Sequence, residues 1–118
     1  LMDTLESCFE ERVSLALKYN IKLKNIIIDP GIGFGKRISD NDEIIQNISK
    51  LKIFSCPILI GISRKSFLQY KKDTPQDRLP ATLGATAIAV KNGVDIVRVH
   101  DVIETKSMLY SLERIISN

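Results

Sequence analysis

The chain has 118 residues, a length that normally builds one domain because it is too short for a second hydrophobic core. Hydrophobic residues make up 44% and charged residues 26%, a balance that is typical of a folded globular protein and excludes an intrinsically disordered one. The net charge of +3 is small and the lysines are scattered among acidic residues, so the sequence predicts no nucleic-acid partner.

The sequence also gives no sign of membrane insertion or export. No apolar run approaches the roughly 18 residues of a membrane span, and residues 1–12 are too acidic for a secretion signal. Cys8 and Cys56 form no C-x-x-C pair, and isolated cysteines of this kind are usually reduced and buried. These features predict a cytoplasmic protein that does not bind membranes.

The hydrophobic pattern predicts a leading helix followed by three strand and helix units. Apolar residues recur at helical spacing from Thr4 to Tyr19, with Asp3 or Thr4 as the N-cap. Short β-branched or continuously apolar runs predict the strands, and periodic segments after them predict the helices. The strands are Ile26–Asp29, Pro57–Gly61 and Asp95–Val99, and the helices are Asp40–Leu51, Pro80–Asn92 and Glu104–Ile116.

The spacing of the strands predicts an α/β fold with parallel crossovers. Such units occur in doubly wound open sheets and in (βα)8 barrels, also called TIM barrels. The barrel is favoured because all three strand ends carry polar residues, and a barrel gathers its strand ends around one mouth. A whole barrel needs about 250 residues. We therefore expect residues 1–118 to be a carboxyl-terminal fragment of a single barrel domain, with a leading helix and about three βα units.

The first predicted strand ends on Asp29 and runs into a loop with Gly31, Gly33 and Gly35. The carboxyl ends of strands hold the ligands of α/β folds, and glycines allow bare backbone to approach a bound molecule. Asp29 either fixes the turn before Pro-Gly or offers its carboxylate to paired N–H groups of a flat heterocycle. Phe34 either plugs the barrel top or forms a wall of the pocket.

A second polar cluster, GISRKSF, spans residues 61–67 at the end of the second predicted strand. Arg64 and Lys65 lie between Ser63 and Ser66, and two cations flanked by hydroxyl groups make a candidate anion site. The alternative is a basic turn in contact with solvent only.

The third cluster lies on the last predicted strand. Side chains alternate along a strand, so Arg98 and His100 lie on the same side of it. An arginine in a barrel mouth needs a partner, and a phosphate suits its planar fork. A lone histidine is commonly structural, but its pairing with Arg98 favours a functional role. Asp101 is the N-cap of the last helix or an orienting partner of His100.

These three clusters, DPGIGFGK, GISRKSF and RVHDV, resemble the three carboxyl-terminal motifs of the dihydropteroate synthase family, folate-pathway enzymes that sulfonamides inhibit. The resemblance covers essentially the whole chain, and three motifs in matching order are specific. It implies a TIM barrel and a transferase. The reaction would join para-aminobenzoate to 6-hydroxymethyl-7,8-dihydropterin diphosphate and release diphosphate.

The resemblance also implies roles for the pterin-side residues of this chain. Asp29 would hold the pterin ring, and Lys65 would bond both the pterin and the reaction centre. Arg98 would stack on the pterin, and Arg98 and His100 would bind the diphosphate. Lys65 and Arg98 are the residues to which the resemblance assigns catalysis.

On the para-aminobenzoate side the resemblance implies that Ser63 and Phe34 border the substrate, with Arg64 nearby. Gly33, in the loop that carries Phe34, is also expected to bind substrate. It implies magnesium as the cofactor, held by the diphosphate and by an asparagine of a strand that is not in this chain. It further implies a homodimer as the full-length protein and the missing amino-terminal half of the barrel as a partner. We expect the 118 residues alone to be inactive.

Two other functions fit part of the pattern. A pterin-binding methyltransferase domain uses a similar barrel, but it has no diphosphate to bind and leaves the two basic clusters unexplained. A non-catalytic, truncated paralogue would only pack against a partner. The intact polar residues at all three strand ends argue against that second alternative.

Overall fold

Parallel strands with α-helices between them form the structure, a computed structural model that describes residues 1–117. Segments of 3-10 helix lie at 23–25, 48–54, 66–68 and 75–78. The α-helices and strands of the described residues are α1 (Met2–Lys18), α2 (Ile38–Gln46), β1 (Leu59–Ile60), α3 (Leu79–Lys91), β2 (Ile96–Val97) and α4 (Val102–Ser117).

The strands pair in parallel and in chain order. Leu59 of β1 lies opposite Ile96 of β2. On the other edge of β1 an isolated parallel bridge joins Ile28 to Ile58. β1 is therefore the middle strand, between the segment around Ile28 and β2.

All three predicted strands are found at their predicted places, but each is shorter than expected. The first is reduced to the bridge at Ile28, whose N–H donates to the Pro57 carbonyl over 2.9 Å. Within the described residues the outer two strands have a neighbour on one side only. A strand that forms ladder hydrogen bonds along one edge only keeps a regular conformation over fewer residues, which explains the short outer strands.

The helices differ from the prediction at their ends. α1 begins at Met2 with no side-chain cap, so the predicted N-cap at Asp3 or Thr4 is wrong. α2 begins two residues before Asp40, because the Asp40 carboxylate accepts the N–H of Arg37 over 3.1 Å and stabilises an earlier start. α4 begins at Val102, directly after the strand-end loop.

One face of the sheet packs on the helices and forms the core. Ile28, Ile58, Ile60 and Ile62 alternate along their segments and are almost completely buried. They meet helix and loop residues that are also buried, namely Ile44, Ile48, Leu51, Ala89 and Val94. Parallel strands with helices over one face therefore hold this part of the fold by apolar burial.

The helices pack in a row. α2 packs on α3, α3 packs on α4, and α1 packs on the 3-10 segment at 48–54. Phe9 of α1 meets Phe54 edge to face, with 6.0 Å between the ring centroids. Cys56 is buried, as predicted, but Cys8 is exposed on α1, so that prediction is wrong.

The amino-terminal end of the sheet has its own polar connection. The Asp95 carboxylate accepts the N–H of Ile58 over 2.9 Å and lies 3.3 Å from the Lys52 ammonium. This contact joins the starts of β1 and β2 and fixes their register at the end opposite to the loops that follow them.

The opposite face of the sheet has no helix over it in the described part of the chain. Ile27 is 54% exposed there, and Ile96 is also exposed. The molecule measures 45 × 34 × 21 Å, a slab with one apolar strand face in contact with solvent. We call the side of the sheet that carries Ile27 and Ile96 the open face. Along residues 1–117 no helix combines the length and the apolar character that crossing a bilayer requires.

We expect the 118-residue chain on its own to self-associate through the open face, because exposed apolar strand surface and free strand edges pair with other chains. Ile27→Lys should shift the chain toward monomer in light scattering over a concentration series. Ile103→Lys is the matched control, since Ile103 is 81% exposed but lies on α4. A monodisperse, cooperatively melting wild-type monomer would contradict the expectation.

Candidate functional site

The candidate site lies where the three strand segments end, on the open face. Strand alternation and the parallel register place Asp29, Gly61, Ser63, Arg98 and His100 on the same side of the sheet. The sequence predicted this side for Arg98 and His100. The parallel register places Asp29, Gly61 and Ser63 beside them, because parallel strands bring their carboxyl ends to one edge of the sheet.

The carboxylate of Asp29 and the guanidinium of Arg98 meet across the middle strand, with 3.5 Å between Oδ2 and Nη1. Gly61, directly after β1, lies between them and makes this approach possible. A Cβ atom on Gly61 would lie 2.5 Å from Nη2 of Arg98, so any larger residue would push the guanidinium away. The pair is more than one third exposed on both sides, and such pairs are worth little stability.

Asp29 also shapes its own loop. Its Oδ1 accepts the N–H of Gly31 over 2.9 Å, which is the Asx turn offered as the alternative role of this residue. The second oxygen, Oδ2, is the one that faces Arg98. The turn therefore uses one carboxylate oxygen and leaves the other directed at the open face.

The glycine loop after Asp29 has the backbone that its sequence predicts. Gly31, Gly33 and Gly35 all have positive φ angles, of 73°, 83° and 62°. Gly33 is also close to another loop, because a Cβ atom there would lie 2.9 Å from Cδ of Lys65. The absence of a side chain at Gly33 lets the Lys65 stem cross the loop.

Lys65 crosses the glycine loop and is held by it. Its ammonium donates a hydrogen bond to the Ile32 carbonyl and lies 4.6 Å from the centroid of the Phe34 ring. Phe34 is 69% exposed, so its ring does not pack into the core of the described residues. Partial burial and the positive charge of Arg98 lower the pKa of Lys65, whereas the Asp29 carboxylate opposes this shift.

Ser63 and His100 form a contact between the ends of β1 and β2. The Ser63 hydroxyl lies 2.7 Å from Nδ1 of His100 and accepts the backbone N–H of His100 over 3.1 Å. Ser63 is buried, so its contact with Nδ1 holds the His100 ring in a fixed orientation. The orientation of the imidazole therefore depends on the neighbouring strand.

Arg64 does not point toward the other site residues. Its guanidinium forms two hydrogen bonds with the Asp101 carboxylate, over 2.8 Å and 3.3 Å. Asp101 therefore pairs with Arg64, and its place directly before α4 supports the N-cap position of the two roles expected for it. The carbonyl of Asp101 accepts the N–H of Thr105 over 3.0 Å, as expected of a residue that starts α4.

A small cleft of about 130 Å³ brings both catalytic candidates together. It is lined by Gly61, Ser63, Lys65, Arg98, Val99 and His100. Two cations, a hydroxyl group and an imidazole border this volume, which suits the oxygens of an anion such as a phosphate. Asp29 at its edge supplies the acceptor for a polar ring.

The described residues do not fit a magnesium site. No three His, Cys, Asp or Glu side chains of residues 1–117 lie together as metal ligands. Asp29 at the edge of the cleft already accepts the Gly31 N–H and faces Arg98. Magnesium stays a prediction of the resemblance.

Sequence reasoning missed two residues that build the site. Asn41 of α2 is buried, and its Oδ1 accepts the N–H of Gly33 over 2.9 Å. The signal was a polar residue at helical spacing with Ile44 and Ile48 on the buried side of a helix. The role of Gly61 could not be found, because it depends on how far Arg98 reaches across β1.

Comparison with known proteins shows which proteins this chain is similar to. A protein family described as "Pterin binding enzyme" matches residues 1–100. The dihydropteroate synthase of Clostridium beijerinckii is 40% identical over 106 residues, which cover 88% of this chain and 39% of the relative. A probable bifunctional folylpolyglutamate synthase/dihydropteroate synthase of Haloferax volcanii is 43% identical over 86% of this chain and 12% of its own length.

Solved structures agree over nearly the whole chain. The dihydropteroate synthase of Yersinia pestis superposes with a TM-score of 0.95 at 32% identity, covering 99% of this chain and 49% of that one. The same enzyme has been solved with a sulfonamide drug. The Xanthomonas albilineans enzyme with 4-aminobenzoic acid has a TM-score of 0.94 at 28% identity, covering 98% of this chain and 43% of that one.

These comparisons confirm the predicted fold class, because the chain superposes on part of an α/β TIM barrel. The chain spans less than half the length of these relatives. The match to the family over residues 1–100, together with the superposition, shows that this chain belongs to the family of pterin-binding enzymes that includes the dihydropteroate synthases.

Proposed function

We propose that the barrel to which this chain contributes is a dihydropteroate synthase of folate biosynthesis. It would condense 6-hydroxymethyl-7,8-dihydropterin diphosphate with para-aminobenzoate and release diphosphate. The observation that carries the proposal is the convergence of Lys65, Arg98 and His100 on one cleft, with Asp29 at its edge. The related proteins described above that carry the name dihydropteroate synthase support the same reaction.

The 118 residues supply one side of this site. The open face and its exposed Ile27 mark the side on which the rest of the barrel would pack. We propose that the remaining barrel strands complete the pterin pocket and that these residues alone do not turn over substrate. The homodimer and the cytoplasmic location stay predictions.

The reaction requires stabilisation of a departing negative charge. The amine nitrogen of para-aminobenzoate attacks the pterin methylene carbon, the bond from that carbon to the diphosphate oxygen breaks with its electron pair, and the amine loses a proton. Arg98 and His100 would bind the departing oxygens. Lys65, near the reacting carbon, would stabilise the same departing negative charge. Preorganised cations of this kind are the largest common source of rate enhancement.

Asp29 would bind the pterin ring through adjacent N–H groups. Its Oδ2 now faces Arg98 at 3.5 Å, a long contact between exposed groups. A ligand with two N–H donors can replace Arg98 as the partner of Asp29 at little cost, because the net free energy of the exposed ion pair is small. Arg98 would then cover the ring face while its guanidinium binds diphosphate, as the resemblance implies.

The second substrate would lie beside Phe34 and Ser63. Phe34 presents an exposed ring next to the Lys65 ammonium, and a flat aromatic amine can pack against that ring. The Yersinia pestis and Xanthomonas albilineans complexes show that related enzymes accept a sulfonamide drug and 4-aminobenzoic acid. We propose the same two ligand classes for this site.

The test is a hybrid enzyme in which residues 1–118 replace the superposed segment of the Yersinia pestis dihydropteroate synthase. We call this protein the hybrid barrel. The proposal expects it to fold by circular dichroism and to form dihydropteroate from the two substrates. A folded hybrid barrel that binds para-aminobenzoate and pterin but forms no product would contradict the proposed reaction.

In the hybrid barrel, Lys65→Ala and Arg98→Ala should each reduce turnover far more than thermal stability. Removing one preorganised donor of this kind costs about 2.7–4 kcal/mol of transition-state stabilisation. Steady-state kinetics and thermal melts measure the two effects separately. Lys91→Ala is the control, because this exposed lysine at the end of α3 lies away from the cleft. Turnover near the control value in both variants would rule out the assigned roles.

Asp29→Asn should weaken pterin binding and leave diphosphate affinity nearly unchanged. Asparagine keeps one acceptor for the Gly31 N–H, so the turn survives, but it replaces the second acceptor with a donor that a pterin N–H cannot use. Isothermal titration of the hybrid barrel with each ligand separately gives both affinities. An equal loss for both ligands would show that Asp29 holds the loop and does not bind the ring.

A further inference from the structure

We propose that Arg64 is a positioning residue whose ion pair with Asp101 holds Lys65 and His100 in register, and not a residue that binds substrate. The inference rests on the proposed function, since it concerns the same cleft. It changes the role expected from the motif, where Arg64 was placed near para-aminobenzoate.

The side chain of Arg64 is already paired within the chain. Its Nη2 and Nε donate to the two oxygens of Asp101, in the parallel geometry that gives arginine and carboxylate their strongest pairing. The side chains are only 26% and 18% exposed, so the pair is largely shielded from water. Hydrogen bonding to Arg64 lowers the pKa of Asp101, which keeps the carboxylate charged.

The backbone of Arg64 is held as firmly as its side chain. Its N–H donates to the hydroxyl of buried Thr82 over 3.1 Å, and its carbonyl accepts from Nη1 of Arg78 over 2.8 Å. Arg64 also has a φ of 59°, a conformation that a residue with a side chain adopts only when its surroundings impose it. Contacts from α3 and from the segment before it therefore fix the loop at this residue.

The position of Arg64 in the chain explains what the pair controls. Ser63 precedes Arg64 and contacts His100, and Asp101 follows His100. Two neighbouring contacts, Ser63 to His100 and Arg64 to Asp101, thus join the loops after β1 and β2. We call these two contacts the junction between the loops. Because Lys65 follows Arg64 directly, the junction sets the distance from the Lys65 ammonium to the side chains of Arg98 and His100.

The two roles of Arg64 predict different behaviour of Asp101. If Arg64 binds para-aminobenzoate, Asp101→Asn leaves that contact available, and only Arg64→Gln raises KM for this substrate. If Arg64 positions Lys65 and His100, removing either partner frees the same junction. The two single variants should then have the same phenotype, and the double variant should be no worse than either, because residues of one ion pair are not additive.

The experiment uses the hybrid barrel with Arg64→Gln, Asp101→Asn, their combination and Arg64→Lys. We expect kcat to fall about 10²-fold in both single variants, the effect of misplacing a reacting group by roughly 1 Å, with KM for para-aminobenzoate nearly unchanged. Arg64→Lys should lie between wild type and Arg64→Gln, since lysine keeps the charge but not the fork. Lys52→Gln is the control, because Lys52 forms an exposed ion pair with Asp95 at the end of the sheet opposite to the cleft.

A measurement without turnover separates this inference from the proposed function. Titration with inorganic diphosphate should show the same several-fold loss of affinity in Arg64→Gln and Asp101→Asn, because His100 loses its fixed position in both. An inactive hybrid barrel would overturn the proposed reaction, but the diphosphate affinities of the two variants could still be compared. Diphosphate affinity equal to wild type in both variants, or a raised KM in Arg64→Gln alone, would overturn the positioning role.

Discussion

Parallel pairing of β1 with a neighbour on each side is the constraint on which the site depends. The pairing aligns three strand ends, and alternation then assigns every second residue to the open face. A shift of one residue in β1 would turn Gly61 and Ser63 toward the helices and place isoleucine side chains on the open face instead. Asp29 and Arg98 would then lie on either side of a side chain that separates them, and the cleft would not exist.

Packing and chemistry use opposite faces of the same few strands. The isoleucines at 28, 58, 60 and 62 are packed against helices, whereas Asp29, Gly61 and Ser63, which directly follow three of them, face away. This division lets charged groups stay partly hydrated, which avoids the cost of burying an unpaired cation. Lys65 shows the intermediate case, since its stem is covered by the glycine loop and its ammonium keeps a carbonyl partner.

The sequence predicted the parts of the structure that depend on local periodicity. Strand alternation placed Arg98 and His100 on one side, and the glycine spacing predicted the loop with positive φ. It could not predict contacts between residues far apart in the chain. The pairing of Arg64 with Asp101 and the bond from Asn41 to Gly33 depend on how helices and loops pack, and the short strands reflect how few neighbours the outer segments have.

The contact of Asp95 with Lys52 and the Ile58 N–H has a consequence for how such a site can diverge. It holds the register of β1 and β2 at the strand starts, away from Arg98 and Ser63 at the strand ends. Barrels generally separate stability and chemistry between their two ends in this way. Substitutions among the cleft residues can therefore accumulate without loosening the alignment of the strands that carry them.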